Sequence, residues 1–178
     1  SNPAELKKWQ VIAGIWEVNA GALCCKGEAD NRILFRQSVP NYQRIEFTAQ
    51  VLPEVGAPAS DLSVFLQVAA KGDSLNTGYF FQFGGMGNTL HRIIRKGSVL
   101  WEEQQPKIRI VAGQRHQIVV ENDEGLLRLS VDGKDVRALR EKSSLVGKGH
   151  DRVGFYFHSP VKVEKVKIYY KPMDDGLI

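Results

Sequence analysis

The stretch Tyr42 to Leu52 constrains the fold more than any other. Tyr42, Arg44, Glu46, Thr48 and Gln50 alternate with Ile45, Phe47, Ala49 and Val51. Successive side chains of an extended chain point to opposite faces, so this pattern is a strand with one wet face and one core face. The Pro/Gly/Ala-rich loop Pro53 to Ser60 ends it.

Short segments of this kind recur along the chain. Gly14–Val18 and Ala22–Lys26 flank the turn Asn19-Ala20-Gly21, which reads as a hairpin. Arg32–Phe35, Leu62–Ala70, Gly78–Phe83, Leu90–Arg95, Val99–Glu102, His116–Glu121 and Leu126–Val131 follow. Val153–Phe157 and Val161–Tyr170 close the series. Arg137–Lys148 is the one stretch that reads as helical or irregular. About a dozen strands with turn residues between them predict an all-β sandwich or barrel, and no βαβ rhythm interrupts them. A single domain over residues 1–178 is expected, with 1–8 and 171–178 as tails.

Hydrophobic residues make up 43% and charged residues 25%, ordinary values for a globular chain. No apolar run reaches the roughly 20 residues of a membrane span, so no membrane insertion is expected. The formal net charge is +4, but the 24 basic residues form no block. That dispersal argues against nucleic acid as a partner. The opening Ser1-Asn2 reads as a cloning scar or a cut after signal removal, so the missing leader does not fix the compartment. Cys24 and Cys25 are adjacent, too close for an unstrained bridge, and one buried and one exposed thiol are expected. No Cys/His set has metal-ligand spacing.

Four aromatics fall within Tyr79–Phe83. Tyr79, Phe81 and Phe83 share the face expected to be core, which leaves Phe80 and Gln82 on the other. The preceding strand divides the same way: Leu62, Val64, Leu66 and Val68 inward, Ser63, Phe65 and Gln67 outward. Ser63, Phe65, Gln67, Phe80 and Gln82 then form an open surface of rings, amides and a hydroxyl, or a face that a loop covers. Rings stack on the CH faces of sugars and planar amides bond to hydroxyls, so such a surface suits a saccharide or polysaccharide. In Leu90–Arg95, periodicity leaves open whether His91 and Arg95 or Arg92 face that surface. Trp101 is either a sugar platform or a core plug, and Glu102 and Glu103 beside it lie on opposite sides of a regular strand. His158 shares a face with Tyr156 and reads as an acid/base or as a turn residue. Gly84-Gly85-Met86-Gly87 joins strands instead of opening a helix, which argues against a phosphate cradle. No nucleophile elbow, phosphate loop or zinc-protease motif is present.

Several of these motifs, taken in order, resemble the concanavalin A-like jelly rolls, and in particular the bacterial 3-keto-disaccharide hydrolase family. Trp16-Glu17-Val18-Asn19-Ala20-Gly21-Ala22-Leu23 resembles the opening W-x-V-x-x-G-x-L. Tyr42 to Phe47, Ser63-Val64-Phe65-Leu66-Gln67 and Gly78 to Phe83 are similar to its next strands. Val131-Asp132-Gly133-Lys134 and Gly154 to Ile168 resemble its last hairpin and closing strands. Gln82 and His158 fit the family pattern; Phe80, Gln67 and Tyr156 stand where the family has an acid, an arginine and a glutamine. The resemblance implies a two-sheet antiparallel jelly-roll sandwich with a sugar-facing concave sheet and a secreted or periplasmic location. It implies no required cofactor. It allows a structural calcium ion, for which Glu28, Asp30 and Asn31 offer oxygens.

Three functions follow as expectations. The first is a carbohydrate-binding module using Gln67, Phe80, Gln82, Arg92 or Arg95, Trp101, Tyr156 and His158. The second is a glycoside hydrolase or lyase with His158 as acid/base and Glu102 or Glu103 as partner. The third is a laminin-G-like interaction domain without a sugar site.

Overall fold

Gln43, Ile45, Phe47, Ala49 and Val51 are buried, and the four residues between them are half-exposed. That alternation, repeated from strand to strand, builds the molecule. The computed structural model describes residues 3–171. In chain order the strands are β1 Trp9–Ala13, β2 Ile15–Asn19, β3 Ala22–Lys26, β4 Asn31–Phe35, β5 Gln43–Val51, β6 Leu62–Val68 and β7 Tyr79–Gly84. Then come β8 Leu90–Arg95, β9 Ser98–Gln104, β10 Arg115–Asp123, β11 Leu126–Val131, β12 Lys134–Arg140, β13 Arg152–Phe157 and β14 Val161–Tyr170.

They form two seven-stranded sheets, β1-β4-β13-β6-β7-β8-β9 and β12-β11-β10-β5-β14-β3-β2. Every pairing is antiparallel. The expected all-β, two-sheet jelly-roll sandwich is the fold. Between the sheets lies the main core, where Phe155 meets Phe47 edge-on at 4.8 Å and stacks with Phe157 at 5.2 Å. Burying one such ring contributes about 1.5–3 kcal/mol. Gly154, next to Phe155 in sequence but on the outer face of the sheet, lies where β4 and β13 touch; a Cβ there would lie 2.1 Å from the Ile33 carbonyl oxygen.

Two segments differ from the sequence reading. Lys134–Arg140 is strand β12, paired with β11 on the sheet edge, although the chain from Arg137 onward reads as helical or irregular. It buries no residue, so it carries no alternation, and its Ala, Leu, Arg and Lys content favours helix in isolation. Trp9–Ala13, unassigned from sequence, is edge strand β1, with Trp9 opposite Phe35. Before it, Pro3–Leu6 makes a helical turn and Leu6 packs against the core. Of the expected tail 171–178, residues 172–178 lie outside the described residues. Among the described residues, no helix is long and apolar enough to cross a membrane.

Candidate functional site

The outer face of the sheet containing β13, β6, β7 and β8 carries three adjacent rows of side chains. The middle row is polar: Arg32 lies opposite Tyr156, and Tyr156 opposite Ser63. One step beyond the pair Val64–Phe81, the same register sets Ser63 beside Gln82, and Gln82 faces Arg92, which faces Glu102. The row on one side is apolar, running Leu34, Gly154, Phe65, Phe80, Ile94. On the other side, one step past Phe157–Leu62, His158 comes beside Asp61, whose amide donates to the Gly84 carbonyl at 3.0 Å.

The apolar row forms a cluster separate from the main core. Phe65 and Phe80 stack at 5.1 Å, and Tyr156 stands edge-on to both, at 6.4 and 5.4 Å. The face is not open along its length. Leu75, from the helical turn Ser74–Thr77, packs on the apolar row. Gly85 rests on the Gln82 amide, where a Cβ would come within 2.4 Å of Cδ. Ser63 and Phe65 are fully covered, while Phe80 and Gln82 keep 4% and 7% exposure.

Under this cover runs a directed hydrogen-bond chain. Arg92 Nε donates to Gln82 Oε1 at 2.9 Å, and Gln82 Nε2 donates to Asp61 Oδ1 at 2.9 Å. Ser63 Oγ donates to the same Asp61 oxygen at 3.1 Å and accepts the Phe83 amide at 3.2 Å. A guanidinium only donates and a carboxylate only accepts, so the Gln82 amide has one consistent orientation. Burial pushes the Asp61 carboxyl above its ordinary value, against the pull of the Gln82 and Ser63 bonds and of the nearby His158 and Arg92 charges. Burial, and then the charges of Asp61 and Asp30, raise the Tyr156 hydroxyl.

Two hollows open beside this chain. One, of about 370 Å³, is walled by Asp61, Gln82, Tyr156, His158, Glu28 and Met86. The other, of about 280 Å³, is lined by Phe80, Gln82, Arg92, Ile94, Tyr156 and Asn76. Gln82 and Tyr156 line both. In the first, His158 Nδ1 lies 3.8 Å from Glu28 Oε2, while Glu28 Oε1 accepts the Glu54 amide at 2.9 Å. Met86 is displayed at 69% exposure by a left-handed turn in which Gly84, Met86, Gly87 and Asn88 all have positive φ. This turn joins β7 to β8, as the glycine run suggests. A hollow of about 350 Å³ at Trp9, Phe35 and Ile168, on another part of the surface, has Glu5 and Lys8 at its wall, already paired at 2.9 Å.

The structure brings together Ser63, Phe65, Phe80, Gln82, Arg92, Tyr156 and His158, and sends the other expected site residues elsewhere. Gln67 has φ +52, which breaks the alternation of β6. Its side chain therefore turns inward, where Asn122 Nδ2 donates to Oε1 at 2.6 Å, and Val68 joins the outer cluster in its place. His91 is fully buried on the inner side, its ring against Phe83 at 4.6 Å. Its Nδ1 accepts the Gly84 amide at 3.0 Å and Nε2 donates to the Ile108 carbonyl at 2.7 Å; burial holds its basicity below normal. Arg95, opposite Tyr79, pairs with Glu141 at 2.8 Å and donates to the Ser143 carbonyl. Trp101 packs against the main core with the Arg137 guanidinium 5.5 Å above its ring, so it is a core plug at the sandwich edge.

Glu103 lies opposite His91 and so on the inner side; Glu102 lies opposite Arg92 on the outer side, at 3.9 Å. Four strand spacings separate Glu102 from His158 in the sheet order. At ~4.8 Å each this is about 19 Å, beyond the reach of a proton-transfer pair. The residue that sequence reasoning missed is Asp61. It falls two positions before Ser63 and shares its face, a signal hidden because the loop Pro53–Ser60 was read as ending just before it. Of Glu28, Asp30 and Asn31, Asp30 has both carboxylate oxygens bonded by Arg32, at 2.7 and 2.5 Å. Among the described residues no group of three or more acidic, His or Cys side chains gathers as a metal site.

This two-sheet antiparallel jelly-roll sandwich is a fold shared with several solved structures. The chain superposes on the carbohydrate binding module CBM66 from Bacillus subtilis with a TM-score of 0.67 at 14% identity, covering 90% of this chain and 94% of that one. A putative glycosyl hydrolase from Parabacteroides distasonis ATCC 8503 gives 0.66 at 12% identity, over 93% and 95%. A Bacillus subtilis protein of unknown function with a galectin-like fold gives 0.68 at 10%, over 94% and 91%. At these identities the likeness establishes a shared fold. Comparison with protein-family models and with curated proteins gives no match.

Proposed function

We propose that this chain binds a saccharide at the hollow walled by Asp61, Gln82, Tyr156 and His158. The observation that carries the reading is the fixed chain Arg92–Gln82–Asp61 running beside aromatic rings. Sugar recognition calls for both: charged and amide groups of set orientation for hydroxyls, and ring surface for CH groups. A carboxylate that keeps spare acceptor capacity is a strong partner for a hydroxyl, because charge-assisted bonds are about twice as strong as neutral ones. The fold neighbour described as a carbohydrate binding module supports the reading by likeness of architecture. A secreted or periplasmic location is part of this proposal.

A glycan array tests the proposal. The parent protein is expected to retain a defined saccharide class, and Asp61→Ala is expected to weaken that binding by roughly 1.5–3 kcal/mol, the worth of a bond to a charged group. An array without binding would favour the laminin-G-like alternative.

A second reading, glycoside cleavage, draws on one observation: the half-exposed His158 imidazole lies in register beside a carboxyl whose proton affinity is raised by burial. In it, Asp61 or Glu28 replaces Glu102 and Glu103 as the partner acid. Turnover of a disaccharide that disappears in His158→Ala would establish it.

A further inference from the structure

We infer that the ligand is an oligosaccharide of at least two units, with a hydroxyl-rich unit held in the Asp61–His158 hollow and the next unit lying in the neighbouring hollow over Ile94, Leu75 and the edge of Phe80. This rests on the saccharide reading above. The two hollows are neighbours that share Gln82 and Tyr156 as wall residues, yet their walls differ in chemistry. The first presents a carboxylate, an imidazole, a phenol and a thioether. The second has an aromatic and aliphatic floor with Arg92 and Asn76 among its polar groups.

Distance also separates them. Asp61, just ahead of β6, and Phe65 are four residues apart, a span of up to about 13 Å. That is longer than one hexose ring, so a single unit does not touch both ends. Tyr156 stands at the junction, half-buried, with its hydroxyl-bearing ring edge-on to Phe80.

The second hollow is also prepared for a polar edge. Asn76 Nδ2 is committed to Asp73 at 2.7 Å, which orients its Oδ1 toward Gly97. A Cβ at position 97 would lie 2.8 Å from that oxygen, and Gly97 has φ +81. A glycine at that point keeps the space beside the amide clear. Arg92 is not saturated by its neighbours: among the described residues its one carboxylate ion pair, with Glu102, is at 3.9 Å.

The test is titration calorimetry of the full chain with methyl glycosides of glucose, galactose, mannose and fructose, each against the matching disaccharides. In at least one series the disaccharide is expected to bind about tenfold or more tightly than the methyl monosaccharide. Ile94→Ala, which trims the floor of the second hollow, is expected to lower that ratio to below about threefold. The ratio is taken within one protein, so a general loss of stability does not imitate the effect. A ratio under about threefold for the parent in every series that binds would overturn the two-unit arrangement while leaving the single hollow in place. No binding by any member of the panel would overturn the saccharide reading and this one together.

Discussion

Asp61 is the residue on which the site turns. It is 5% exposed, it has φ +52, and it holds two donors on a single oxygen. Its proton affinity is raised in the folded chain from an ordinary value of 3.8, chiefly by burial. The folded state therefore holds this proton more firmly than the unfolded chain does. The stability it contributes is fully present below pH 3.8 and is lost as pH rises through the raised value. Asp61→Asn cannot ionise, so its melting temperature relative to the parent is expected to climb as pH goes from 3.8 toward neutrality. A difference that stays flat, or falls, across thermal scans at several pH values would contradict this. Gln82 and His158 were visible in the sequence because each follows from a face shared with aromatic neighbours. Asp61 was not, because it falls between the loop Pro53–Ser60 and the strand from Leu62, with a left-handed backbone that alternation does not anticipate. Gln67 was misplaced because its own left-handed φ reverses the side to which alternation assigns it.

At the level of elements, strand order was the part that periodicity leaves unstated. Alternation correctly turned Leu62, Val64 and Leu66 inward and Ser63 and Phe65 outward, because those residues precede the left-handed Gln67. It carried no information on which strand lies beside β6, and so none on the neighbourhood of His158 and Asp61. Nor did it mark β1 and β12, edge strands with little to bury. The juxtaposition of β4 and β13 depends on the lack of a side chain at Gly154, whose added Cβ would meet the Ile33 carbonyl at 2.1 Å and Leu34 Cδ2 at 2.6 Å. Gly154→Ala is expected to cost about 1–3 kcal/mol, the usual range for overfilling a packed interior. Urea denaturation measures it, and a variant within experimental error of the parent would show that the two strands can separate freely.

For the whole molecule, charge is abundant and mostly spent on itself. The 24 basic and 20 acidic residues leave a net +4. Arg32, Arg44, Arg95 and Arg128 are each paired with a carboxylate within 3.2 Å. Binding of an uncharged saccharide is therefore expected to change by less than about twofold between roughly 0.05 and 0.5 M salt, a range over which screening of exposed charges changes greatly. A steep decline would point to a polyanionic ligand. On the proposed reading, the sandwich would also fix how finely a saccharide is read. Because Gly85 sits on the Gln82 amide and both ends of that amide already have partners, the group cannot flip to suit a different pattern of donors and acceptors. Inverting one ring carbon, so that an equatorial hydroxyl becomes axial, would leave a mismatch that the protein has no means to repair. The hollow should tell epimers apart more sharply than it tells ring sizes apart.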